Sequence, residues 1–127
     1  MRQQYHRRLV DGEAHIWDVH RLVELSRDLP VLLVEIDAIA EVDERWWFQD
    51  EDDPPTPRGI ASHVQLVEEA NLEYPIILCA DSRLMDGMHR VVRALSRGET
   101  CIKAVRFKET PAPDYFDVDL SELPYDD

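Results

Sequence analysis

The stretch IILCADSRLMDGMHRVVRALSRGETCIKAVRF, from Ile76 to Phe107, carries the reading of this chain. Ile76, Ile77, Leu78 and Cys79 form a short apolar run between Pro75 and Asp81-Ser82-Arg83, the pattern of a buried strand entering a tight turn. Leu84 and Met85 lead back toward the core. From Val91 the apolar positions change to helical spacing, at Val91, Val92, Ala94 and Leu95. Arg90, Arg93 and Arg97 lie between them, and Gly98 is a left-handed stop. Ile102 to Val105 then reads as a second buried strand. Gly87 therefore falls where strand becomes helix. The first turn of a helix leaves backbone N–H groups unpaired and carries a partial positive charge. The pentad Asp86-Gly87-Met88-His89-Arg90 thus reads as an anion loop, with His89 and Arg90 as two added side-chain donors.

This pentad, followed by Ala94-Leu95, Gly98 and the run from Ile102 to Val105, resembles the ParB/sulfiredoxin superfamily. Sulfiredoxin-like members carry Gly-Gly-Cys-His-Arg in a loop that binds ATP phosphates, and partition proteins carry Gly-Glu-Arg-Arg. Free-serine kinases of the same fold carry the Asp-Gly-x-His-Arg variant matched here. The resemblance spans Val31 to Phe107, and its specific part is the pentad with its flanks. It implies ATP or ADP with Mg²⁺ as cofactor, held by Asp86, Gly87, Met88, His89 and Arg90, with His89 against a transferring or terminal phosphate. It also implies a carboxylate base just after the first strand and its turn, where this chain reads Val42-Asp43-Glu44. Asp43 or Glu44 would take that role, although the kinases' His-Glu pair is missing, and both also read as solvated acids. Met88 fills the slot of the reactive cysteine in sulfiredoxins. A thioether forms no thiolate, which argues against sulfinic-acid reduction.

With 127 residues, the chain is long enough for one domain with a real core and too short for two ordinary ones. The expectation is a single α+β domain, a small mixed sheet with packed helices. It divides into an amino-terminal helical extension (1–30), a core (31–108) and an acidic tail strap (109–127). No apolar run has membrane-spanning length and no basic-plus-apolar leader opens the chain, so a soluble cytoplasmic protein is expected. A net charge of −13 argues against DNA as a partner, because phosphate-backbone binding needs a basic surface. Between Arg83 and Lys108, however, seven Lys and Arg face two acids, a local balance of +5 that leaves −18 for the rest. A basic segment in an acidic protein suits a nucleotide or other small anion; the acidic surface and tail suit a protein partner. Arg93, Arg97 and Lys108 read as a solvated face paired with neighbouring acids. Cys79 and Cys101 read as reduced, buried small hydrophobes on two strands, and no dense Cys/His spacing marks a zinc site.

Ahead of the pentad, Ile16, Val19, Leu22, Val23 and Leu25 predict an amphipathic helix over Glu13 to Leu29, ended by Pro30. Val31 to Ile36 predicts a strand. Asp50 to Pro57 is acidic and proline-rich, hence an exposed loop, without the ligand spacing of a calcium loop. Ile60, Val64, Val67 and Leu72 predict a second amphipathic helix, and the hydrophobes of the tail predict an irregular docked strap.

Several side chains have two readings. Asp86 either binds a metal or positions a nucleophile, or it caps the turn. His63 either faces the pocket or is an ordinary helical histidine. His15 and His20, five apart, do not share a helical face and are not read as a metal pair. Trp46, Trp47 and Phe48 either stack on a base or belong to the core.

Overall fold

Asp11 and Gly12 start the fold with positive φ angles of 51° and 83°. Such a two-residue turn matches the right-handed twist of a hairpin. It joins β1 (Tyr5–Val10) to β2 (Glu13–Asp18), antiparallel, with Val10 opposite Glu13. The computed structural model describes residues 3–49 and 51–125. The helix expected over Glu13 to Leu29 is corrected: its first part is strand, and α1 spans only Val19–Ser26. Asp18 starts α1 by accepting the His20 N–H at 2.9 Å. Ile16, Val19 and Leu22 fit a helical period, yet buried Ala14 and Ile16 also fit a strand, and the hairpin turn selects the strand. Residues 3–30 are therefore hairpin plus helix instead of a helical extension.

The chain continues through β3 (Leu32–Glu35), two 3₁₀ turns (Ile36–Ala38 and Ala40–Asp43) and α2 (Pro57–Glu69). β4 (Ile76–Leu78), β5 (Leu84–Asp86), α3 (Met88–Ser96), β6 (Cys101–Arg106) and β7 (Tyr115–Phe116) follow. One sheet has the order β3-β6-β4-β5, with β4 and β6 parallel and the other pairs antiparallel. The other is antiparallel, β1-β2-β7. The protein is thus an α+β fold with a small mixed sheet.

The mixed sheet is covered on both faces at β4 and β5, which is why β4 reads as an unbroken apolar run, whereas edge strand β3 leaves Leu33 73% exposed. Ile76, Leu78, Leu84, Ile102 and Ala104 pack under α3 with Met88, Val91 and Ala94. Ile77, Cys79, Met85, Val105 and Phe107 point the other way, onto Trp17 and Leu22. Cys79 is buried and Cys101 is exposed, and both are free thiols. The expectation of two buried cysteines is corrected for Cys101, which is the exposed first residue of β6, opposite Glu35.

α2 differs from the other helices. Thr56 caps it by accepting from the Gly59 N–H at 3.1 Å, but none of its residues is buried, and Ile60 and Val64 remain 46% and 49% exposed. The tail docks as expected, and partly as a strand. The Asp114 and Asp117 N–H groups donate to Ile16 and Ala14 carbonyls at 2.8 and 2.9 Å, and Trp17 Nε1 donates to the Pro111 carbonyl at 2.8 Å. Asp50, in the acidic loop, lies outside the described residues.

Candidate functional site at the head of α3

Gly87 sits between β5 and α3 with φ +110°. A Cβ there would lie 2.7 Å from Ile76 Cγ2 and 2.8 Å from Arg90 Nη2, so the position admits glycine on both backbone and steric grounds. The close neighbour is informative. Arg90 folds back over the turn and pairs with Asp86 at 2.9 Å, both side chains mostly buried. Burial pushes the Asp86 carboxyl above the usual range, opposed by the Arg90 charge and hydrogen bond. The Arg90 and Val91 N–H groups both donate to the Gly87 carbonyl, at 3.0 and 3.1 Å.

His89, one position earlier, points elsewhere. Its Nε2 lies 2.9 Å from Nδ1 of His63, on α2. Both imidazoles stack on Trp47, with ring centroids at 4.2 Å for His63 and 4.6 Å for His89 and tilts of 25° and 24°. The two imidazole centroids are only 5.2 Å apart, so they share one face of the indole; a ring between them would separate them by nearly the sum of the two stacking distances. Phe48 closes edge-on against His63 at 5.3 Å. Burial lowers the pKa of His63, and the charge of Asp53 partly offsets this.

The expected single concave site thus divides in two. Asp86, Gly87 and Arg90 form a closed turn, and His89 forms a half-buried cluster with His63 and Trp47. An arginine already paired with a carboxylate four residues away does not stand open to phosphate. Met88 is corrected as well: it is core, 6% exposed, and also floors a groove of about 220 Å³ bordered by Glu44, Trp46, Trp47, Val92 and Leu95.

Of the two candidate bases, Asp43 is exposed in the 3₁₀ turn, and Glu44 stands at the rim of that groove in an ion pair with Arg83 at 3.1 Å. The acid that sequence reasoning missed is Glu41. It is 3% exposed, binds the same arginine at 2.5 Å and accepts the Leu84 N–H at 3.2 Å. It thereby fastens the 3₁₀ turn to the start of β5. Three acids crowd residues 41–44, and no local signal separates the buried one. Arg93 donates to the Val67 carbonyl at 3.2 Å and to that of Glu68, closing the end of α2 instead of pairing with an acid.

Among the described residues no group of three His, Cys, Asp or Glu side chains is placed to hold a metal ion, and no helix is long and apolar enough to cross a membrane. Comparison of the chain with protein-family models, curated proteins and solved structures finds no match.

Proposed function

We propose that this chain is a ParB/sulfiredoxin-like protein that binds a small phosphate-bearing anion at the head of α3, with ATP or ADP as the expected ligand. One observation carries the reading. The left-handed Gly87 turn opens α3 with the Met88 and His89 N–H groups in its first turn, and His89 carries its imidazole to His63 and the Trp47 ring. An anion there gains the helix end and charge-assisted donors. Arg90 joins them when the anion competes with Asp86 for the guanidinium. The groove of about 220 Å³ is smaller than the roughly 300–1,000 Å³ of pockets that enclose drug-sized ligands, so a nucleotide would lie across it with one part outside. Mg²⁺ would arrive on the nucleotide, keeping its waters and taking at most the Asp86 carboxylate from the protein; bound there, it would neutralise phosphate charge. In phosphoryl transfer or hydrolysis, Glu44 is the acid that would orient a hydroxyl or water, once released from Arg83.

A second reading rests on those same ion pairs. Arg90 is held by Asp86 and Glu44 by Arg83. A chain whose phosphate-holding and base groups both stay paired is a ligand-binding or protein-interaction module that retains the loop without turnover. Two variants separate the readings. Arg90→Ala should weaken ADP binding about ten- to a hundredfold by calorimetry. Glu44→Gln should leave binding nearly intact and cut turnover by about two to four orders of magnitude. Binding with no turnover on a broad set of hydroxyl acceptors selects the module. No effect of Arg90→Ala on any phosphate-bearing ligand removes both readings.

A further inference from the structure

We propose that the outward face of α2 is a contact surface for a second copy of this chain, packed as an antiparallel helix pair about a twofold axis. None of the residues of α2 is buried. Its half-buried positions, Gly59, His63, Leu66 and Val67, recur at a spacing of three and four and face the molecule. Ile60, Val64 and Ala61 turn progressively away from that face, and all three are exposed. From Gly59 to Val67 the helix carries no Asp, Glu, Lys or Arg, in a chain that is 32% charged. Two copies with a net charge of −13 repel each other, so they approach best where charge is absent or complementary. α2 offers both.

Its charges stand at the two ends and differ in sign, with Arg58 at the start and Glu68 and Glu69 at the finish. Among the described residues the side chains of Arg58 and Glu68 have no ion-pair or hydrogen-bond partner, and Glu69 accepts from Gln65 of its own helix at 3.4 Å. A parallel pair would set like ends together. An antiparallel pair sets Arg58 of each copy beside Glu68 and Glu69 of the other, and one twofold axis makes both sets of contacts. At a rise of about 1.5 Å per residue, an axis level with His63 brings Arg58 level with Glu68 and Val64 over Ala61 and Ser62. Those two small side chains let the backbones approach to about 8–10 Å. The helix ends add the same sign, positive against negative. His63 stays out of the contact, stacked inward on Trp47, and Asp53, the loop acid whose charge reaches α2, acts on His63. Edge strand β3 also exposes an apolar residue, Leu33, but its one charged residue is Glu35, so a second copy there brings no opposite charge to meet it.

Analytical ultracentrifugation of the full chain, up to about 1 mM, tests this. The mass should rise toward that of two chains with a dissociation constant of about 10–100 µM, because a single helix pair falls at or below the roughly 1,200 Å² of the smallest stable interfaces. Val64→Asp sets two like charges near the axis and should weaken association about thirtyfold or more, with the circular dichroism and melting temperature of the monomer unchanged. Should that variant unfold, Ala61→Glu, further out on the same face, makes the same test. Arg58→Glu should weaken association about three- to tenfold. Adding Glu68→Arg restores the net charge and should recover most of that loss. Leu33→Lys, on β3, should change nothing. A chain that stays monomeric at about 1 mM overturns the proposal. So does association that survives both Val64→Asp and Ala61→Glu, that the charge exchange fails to recover, or that Leu33→Lys abolishes.

Discussion

Trp46 and Trp47 are adjacent in the chain and serve two different histidine clusters. Trp46 stacks on His6 at 5.5 Å, and His6 also stacks on Trp17 at 5.6 Å. Arg8 reaches His6 Nε2 at 3.3 Å. A guanidinium only donates, so this nitrogen holds a lone pair and His6 is the neutral Nδ1–H tautomer. Burial, with the Arg8 charge second, lowers its pKa to about 3. The cluster on Trp47 uses the same residue types to another end. His63 and His89 are half-buried, and either one can donate to the other. Enclosure and a permanent donor make His6 a fixed clip between the hairpin and the 46–48 segment, whereas the second cluster is partly exposed and its donor depends on the tautomers of its two rings.

Acid is the strongest way to break this contrast. The folded pKa of His6, about 3, lies below the unfolded 6.5, so between these values the unfolded chain binds a proton that the folded chain does not. The full stability is present above about pH 6.5 and is lost as pH falls toward 3, by an amount on the order of 4–5 kcal/mol from this group. Urea unfolding across that range should show the loss, and His6→Phe should flatten it; an equal loss in His6→Phe would assign the acid sensitivity to other groups.

Removing an indole comes next. Trp17→Ala empties a buried site and should cost about 3–5 kcal/mol, whereas Trp47→Ala, half-buried, should cost about 1–2 kcal/mol and weaken the proposed ADP binding. Equal costs in thermal unfolding would contradict the division into clip and site. The smallest effect concerns the thiols. Cys79 Sγ lies 3.6 Å from an Arg8 nitrogen on the His6 side, and Cys101 is exposed. Cys101→Ser should stay within about 0.5 kcal/mol of the parent. A thiol reagent should modify Cys101 in the native protein, and Cys79 only when acid opens the His6 stack.

Local patterning in the sequence was sufficient for β3, β4, β6 and α3, and for the left-handed turn at Gly87. There, runs of apolar residues, helical spacing and a glycine stop all agree, and each is a short-range property of the backbone and its nearest neighbours. The hairpin was written in Asp11-Gly12 as well, but residues 13–25 satisfy a helical and a strand period together, and only the turn separates them. The candidate site was readable in the sequence as a turn and a helix start, and not as a set of partners. Its glycine and helix start lie in one pentad, whereas the His63 contact to His89 crosses 26 residues, Arg83 reaches back to Glu41 and Glu44, and Trp46 and Trp47 go to separate clusters. Which side chain of the pentad turns inward and which turns out depends on the packing of α2 and the 46–48 segment against α3. Sequence spacing carries periodicity along one element; partner choice, burial and the protonation that follows from them arise only when distant elements share a surface.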